Sequence, residues 1–206
     1  LHYVLNDVFA DLEKYAPQAR VVFDTVDLHY LREQRKANLE NDASLAKAAE
    51  ATKKVETSLI RKSDITLVVS TVEQDLLKTE LPESDIRILS NIHTVTDEVA
   101  PMKQRSGLLF VGGFQHPPNV GAAKWLIEEI LPLLQTRDSS IELHLIGSRM
   151  PEWLQNIRMP GLYNHGFVED LMPHLTHRRV ALAPLHYGAG VKGKVNQAMA
   201  HGIPVV

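Results

Sequence analysis

The sequence predicts an α/β protein made of two successive units, each a parallel sheet covered by helices. Three observations carry that prediction. Short apolar runs such as Ile65 to Val69, Gly107 to Val111 and Ile141 to Ile146 alternate with stretches of helical spacing. The runs are almost continuously apolar, as strands buried on both faces of a parallel sheet are. The alternation halts at a polar stretch, Thr94 to Ser106, and then restarts.

In the first half, Val4, Leu5, Val8, Phe9 and Leu12 recur at helical spacing, and Pro17 ends that helix. Ala19 to Phe23 reads as a buried strand with a polar exit, Asp24-Thr25-Val26-Asp27. Leu31 to Arg61 contains no Pro or Gly and is rich in Ala, Glu and Lys, so one long helix or two abutting helices fit. Ser63-Asp64 breaks it before the strand Ile65 to Val69. Ser70 with Glu73 three residues on reads as a capping box. Ile86 to Leu89 is a third strand, with Ser90-Asn91 at its exit.

In the second half, Gly107 to Val111 is a strand and Gly112 to Asn119 a loop. Val120 to Leu134 is an amphipathic helix. Ile141 to Ile146 is a strand, Pro151 to Ile157 a short helix and Leu162 to His165 a short strand. Val168 to His177 is a helix and Val180 to Leu185 a strand. Gly188 to Gly193 is a glycine loop, Lys194 to Ala200 a helix and Gly202 its terminating residue. The expected boundary lies between 98 and 99, giving domains 1–98 and 99–206. The chain begins at Leu1 and stops at Ile203-Pro204-Val205-Val206, which reads as the entry to another strand, so a fragment truncated at both ends is expected.

Composition narrows the function classes. Of 206 residues, 44% are hydrophobic and 23% charged, with a net charge of -3. No dense Lys/Arg block marks a nucleic-acid face, so no nucleic-acid partner is expected. The absence of cysteine excludes disulfides, thiolate ligands and a cysteine nucleophile. Ten histidines are present, but without HExxH or Asp-x-Asp spacing no metal site is expected. No apolar stretch approaches the ~20 residues that span a bilayer, and no basic-then-apolar leader is visible. A cytoplasmic location is expected.

Ligands of parallel α/β sheets bind beyond the carboxyl ends of the strands. The polar residues there are Asp24, Asp27, His29, Ser70, Asn91, the Gly112 loop, Gly147 and the Gly188 loop. The most informative stretch runs Pro184-Leu-His-Tyr-Gly-Ala-Gly-Val-Lys-Gly-Lys-Val-Asn-Gln-Ala-Met-Ala-His-Gly-Ile-Pro-Val-Val206. Glycines 188, 190 and 193 permit sharp turns and close backbone approach. A helix then opens with unpaired, partly positive amides, beside Lys192 and Lys194. That arrangement suits a diphosphate leaving group. A plain glycine turn with solvated lysines is the bland alternative.

This segment resembles the donor-binding motif of glycosyltransferase family 4 (group 1), the GT-B fold with two Rossmann-like domains, in its bacterial surface-polysaccharide branch. The family's usual form is a glycine loop, a lysine and Glu-Ala-Met-Ala-x-Gly-x-Pro-Val-Val. The resemblance implies that Lys194 binds diphosphate with help from Lys192, and that Gly188, Ala189 and Gly190 face the donor. Gln197 stands where the family usually has a glutamate on the donor ribose. The family's earlier acidic residue, eight positions before, is Ala189 here.

The turn Phe110-Val-Gly-Gly-Phe-Gln-His-Pro-Pro-Asn-Val120 resembles the family's glycine turn toward the donor phosphates, giving Gly112, Gly113 and Asn119. As a plain helix cap, Asn119 would have no ligand role. His165-Gly-Phe-Val168 resembles the loop that touches the nucleobase through backbone. Val21 to Arg32 resembles the strand carrying a Thr-His-Asp. Here it reads Thr25-Val26-Asp27, with His29 three residues on. Asp27 and His29 are therefore candidate catalytic residues; the alternatives are an ordinary helix-start histidine at 29 and a salt-bridged cap of Asp24, Asp27 and Arg32.

The resemblance implies a retaining, metal-independent transferase that needs no cofactor. It would move sugar from a nucleotide-sugar donor to a saccharide or lipid-linked acceptor, with room for peripheral association at the inner membrane face. The alternatives are a non-catalytic GT-B domain and a nucleotide-sugar 2-epimerase. A dehydrogenase is disfavoured, since Gly112-Gly113 does not continue as GxGxxG.

Overall fold

The computed structural model describes residues 2–96 and 99–206. Leu1 and the expected boundary at residue 98 lie outside the described residues. The chain divides into two compact units. The first runs to Ile92 and includes Tyr187–Val191; the second comprises His93–His186 and Lys192–Val206. Tyr187–Val191, read from the sequence as part of the second domain, thus clusters with the first unit.

The first unit has a three-stranded parallel sheet, β1 (Val22–Asp24), β2 (Ile65–Val68) and β3 (Ile86–Ile88), in the order β1-β2-β3. Helix α1 spans His2–Tyr15. The long charged stretch resolves into two helices, α2 (His29–Glu40) and α3 (Ala43–Lys62), packed on each other. Asn41 takes the left-handed conformation at φ 51, and Asp42 caps α3 by accepting from the Ser44 and Leu45 amides. Both residue types suit those roles. Helix α4 (Thr71–Glu80) completes the unit. Phe9, Phe23, Leu28, Leu59, Ile60, Val68, Leu77 and Ile86 form its core.

The second unit has a four-stranded parallel sheet in the order β6-β5-β4-β7. Its strands are β4 (Ser106–Val111), β5 (Leu143–Ile146), β6 (Leu162–Gly166) and β7 (Arg178–Ala181). Alternation along β4 sends Phe110 into a core with Phe114, Leu126, Leu143 and Leu145, and Leu109 into another with Ile146, Leu175, Ala198 and Ile203. The sheet is covered on both faces. Val205 pairs in parallel with Ala181, so the final residues do enter a strand position beside β7.

The amphipathic helix read as Val120 to Leu134 starts three residues earlier and is not uniform. It comprises α5 (Pro117–Trp125), a π-helical segment (Leu126–Ile130) and α6 (Leu131–Gln135). The Leu131 amide donates to Leu126 O, five residues back. Pro132 has no amide hydrogen and its ring would crowd the carbonyl four residues back, so a wider turn just before it relieves the clash. The remaining helices are α7 (Glu152–Asn156), α8 (Met172–His177) and α9 (Gly193–Ala200).

Candidate functional site

In the second unit, the exit of β4 and the start of α9 converge on Lys194. Its Nζ donates to Asn119 Oδ1 at 2.6 Å and sits 4.1 Å from the centroid of the Phe110 ring. Among the described residues no carboxylate pairs with it. Burial, reinforced by repulsion from Lys192, lowers its pKa to about 8. A half-buried ammonium with only a neutral acceptor and an aromatic face retains unspent affinity for an anion.

Lys192 stands at the cap position of α9, one residue before the helix begins, and makes no side-chain cap bond. Its carbonyl accepts from the Val195 amide at 2.8 Å and more weakly from the Asn196 amide at 3.4 Å. The helix therefore begins tightly at Gly193. Its first turn carries the partial positive charge of a helix amino end beside two lysines.

The glycine turn after β4 is built for packing. The Gly112 amide donates to Ile146 O at 2.9 Å, extending the ladder, so it is already committed. A Cβ on Gly112 would lie 2.8 Å from Asn119 Cγ. A Cβ on Gly147 would fall on the Gly112 carbonyl oxygen. Gly113 O accepts from Asn119 Nδ2 at 2.8 Å. Asn119 is not the helix cap: His116 holds that position, and Asn119 lies buried in the first turn of α5. Its amide is held by Gly113 while its oxygen faces Lys194.

Gln197 lies one turn after Lys194, and both line a void of about 10 Å³ otherwise walled by apolar residues such as Leu109, Leu175 and Val205. Val168 packs its side chain against the core of Leu109, Ile146 and Leu175. Beyond the ends of β5 and β6 lies an open cavity of about 380 Å³, lined by Gly147, Arg149, Met150, Asn164, His165 and Phe167 among others. Phe167 is 71% exposed there.

His165 also belongs to a cluster with His144 and His174, which come from separate elements. His144 Nδ1 and His165 Nε2 are 2.9 Å apart. The rings of His165 and His174 meet edge-on at 4.6 Å, and His144 stacks on Tyr163 at 4.8 Å. Burial, then the nearby Arg178 charge, pushes His144 down to about 4. Burial also lowers His165 and His174. Among the described residues, no group of three or more His, Cys, Asp or Glu is arranged to hold a metal ion.

In the first unit, Asp27 and His29 come together at the start of α2. Asp27 Oδ2 accepts from Arg32 at 2.5 Å. His29 Nδ1 lies 3.3 Å from both Asp27 Oδ1 and Glu56 Oε1. Glu56 is 1% exposed and caps α2 by accepting from the His29 and Tyr30 amides. Asp27, Arg32, His29 and Glu56 thus form an ion-paired cluster, with Glu56 contributed by α3, whereas Asp24 stands apart and accepts from the Val26 amide at 3.0 Å. Glu56 was invisible in the sequence because its partners lie 26 and 27 residues away.

The capping box is half made. Ser70 Oγ accepts from the Glu73 amide at 3.2 Å. The Glu73 carboxylate, 2% exposed, instead accepts from Gly190 N at 3.0 Å and Leu28 N at 3.4 Å. Arg35 donates to Gly188 O. Ala189 is buried between the two glycines.

Residues 105–206 match the family described as Glycosyl transferases group 1. This part of the chain is similar to group 1 glycosyltransferase domains. Among solved structures, a mutant of S. aureus TarM determined with Fondaparinux, alpha-GlcNAc-glycerol and UDP is similar at TM-score 0.59 and 15% identity. That likeness covers 74% of this chain and 32% of TarM. Sucrose-phosphate synthase from Thermosynechococcus elongatus is similar at TM-score 0.58 and 17% identity, over 89% of this chain and 49% of that one. A trehalose-6-phosphate synthase, studied for glycosyl transfer with retention, is similar at TM-score 0.55 and 11% identity, over 97% and 60%. These likenesses show the GT-B fold. The chain spans about a third of TarM's length and about half of sucrose-phosphate synthase's. No curated protein sequence matches it significantly.

Proposed function

We propose that this chain is part of a glycosyltransferase that moves a sugar from a nucleotide-sugar donor to an acceptor hydroxyl. The observation that carries the reading is Lys194, a half-buried ammonium with no carboxylate partner among the described residues, at the amino end of α9 beside Lys192. In this reading Lys194, Lys192 and the α9 amides neutralise the departing nucleoside diphosphate. The nucleobase enters the cavity beyond β5 and β6, against the exposed Phe167 ring. Gln197 hydrogen-bonds the ribose without the charge assistance of a carboxylate.

The reaction proceeds with retention and without metal or cofactor, the leaving phosphate helping to deprotonate the acceptor. Asp27 and His29 hold sugar or acceptor only after loosening their bonds to Arg32 and Glu56. The acceptor is a saccharide or lipid-linked saccharide of polysaccharide synthesis. The site of action is the cytoplasm or the inner membrane face. No described helix is long and apolar enough to cross a membrane.

The test is a thermal-shift screen of the protein against UDP, GDP, dTDP and ADP. A bound ligand raises the melting point by mass action. One nucleoside diphosphate should stabilise clearly more than the others. Absence of any shift at millimolar concentrations contradicts the reading.

A second reading, a nucleotide-sugar-binding domain without turnover, is favoured by one observation. Asp27 and His29 are already paired with Arg32 and Glu56. It predicts the same thermal shift with no sugar transfer.

A further inference from the structure

We infer that Glu73 and Arg35 clamp the Gly188–Gly190 turn, making it a fixed scaffold for the diphosphate-binding lysines that follow rather than a phosphate ligand itself. This rests on the function proposed above for Lys192 and Lys194.

The glycine turn was expected to offer free amides to phosphate. Its Gly190 amide is already donated to Glu73 Oε1 at 3.0 Å. A carboxylate acceptor makes that one of the stronger bonds available to a backbone amide. On the other side of Ala189, the Gly188 carbonyl is taken by the Arg35 guanidinium. Both clamps grip backbone, so they fix the chain path whatever side chain stands between them.

Glu73 is not explained by its own helix. The cap of α4 is made by Ser70 Oγ, and the reciprocal carboxylate bond back to the Ser70 amide is absent. A carboxylate buried to 2% exposure, with Oε2 lacking a hydrogen-bond partner, is costly. An apolar residue would serve α4 and the surrounding core better. What the carboxylate supplies is an acceptor for two amides distant in sequence, Leu28 and Gly190.

The turn is shaped to receive it. Gly190 has φ +65, which L side chains rarely adopt. A Cβ there would lie 3.0 Å from Asp27 Cβ and 3.2 Å from Val69 Cγ2. The geometry therefore needs glycine for fit at 190 and an acceptor at 73. Glu73 and Arg35 are positioning residues: they act through the turn, two residues before Lys192, and touch no reacting atom.

Two readouts test this: amide hydrogen exchange at Gly190 in the ligand-free protein, and affinity for inorganic pyrophosphate as the probe of the lysine site. Glu73→Ala should speed Gly190 exchange at least about tenfold and weaken pyrophosphate binding several-fold. Glu73→Gln keeps an oxygen acceptor in nearly the same shape and should restore most of both. Arg35→Ala, on an exposed position of α2, should weaken pyrophosphate binding with the fold intact. If Glu73→Ala does not fold, Glu73→Gln and Arg35→Ala carry the comparison. Unchanged Gly190 exchange in Glu73→Ala overturns the clamp. So does unchanged pyrophosphate affinity in Arg35→Ala. If instead Lys194→Ala leaves pyrophosphate binding intact, the assigned function of the lysines fails, and the exchange result judges the clamp alone.

Discussion

The Lys194 ammonium and the Asn119 side-chain oxygen are 2.6 Å apart, and Asn119 is held in place by its own bond to Gly113 O. Asn119 is thus an orienting residue for Lys194. Asn119→Leu removes the acceptor and leaves the ammonium short of a partner, while the Gly113 carbonyl keeps only the His116 amide, at 3.2 Å. A loss of about 1–3 kcal/mol is expected in urea denaturation. A change under ~0.5 kcal/mol contradicts the orienting role.

Lys194 gives the site a pH dependence. Its pKa is lowered to about 8, chiefly by burial. Below that value the ammonium is charged and attracts diphosphate; above it the charge is lost. Nucleoside-diphosphate affinity should fall as pH rises from 7 to 9, with Lys194→Ala insensitive over that range. Calorimetric titrations at three pH values measure this. A wild-type affinity that holds flat, with no dependence lost in Lys194→Ala, goes against it.

The histidine cluster makes the second unit acid-sensitive. His144 titrates near 4 in the fold, against about 6.5 when unfolded. Between those values the unfolded chain binds a proton that the folded chain excludes. Stability is therefore full above about pH 6.5 and declines as pH falls toward 4, by on the order of 2 kcal/mol. His165 and His174, also lowered, add to the same slope. Denaturation at pH 7 and pH 5 measures it, and His144→Leu should flatten the slope. An equal slope in the variant would falsify this assignment.

Val26 is a β-branched residue at φ 61, and its side chain is 52% exposed. The left-handed conformation costs an L residue about 1–2 kcal/mol, while little packing is lost on truncation. Val26→Gly should leave stability unchanged or raise it by up to ~1 kcal/mol, although glycine usually destabilises a folded chain. A loss above 1 kcal/mol means that Val26 makes contacts that outweigh its backbone strain.

The fold was legible because parallel strands announce themselves as apolar runs and the helices between them carry 3.6-residue periodicity. Boundaries slipped by a few residues where a single residue decided them. Asn41 and Asp42 split the long charged helix, and Pro132 forced the π turn before it. The Gly188–Lys194 segment was legible because glycine spacing and lysines at a helix start are local features.

What was not legible is what depends on distant partners. Glu73 reads as half of a capping box, but its carboxylate is spent on Gly190, 117 residues away. Arg105 lies in a stretch that reads as linker. It is 3% exposed and donates to Ala100, His201 and Gly202 carbonyls, fastening that stretch to the end of α9. The histidines look scattered because strand pairing, not spacing, brings His144 and His165 together.

The most direct test of the central claim is the affinity of Lys194→Ala for the nucleoside diphosphate that stabilises the wild-type protein most, measured by calorimetric titration. The dissociation constant should rise at least tenfold, about 1.4 kcal/mol, with the melting point of the unliganded variant close to wild type. An unchanged dissociation constant would show that the diphosphate binds elsewhere.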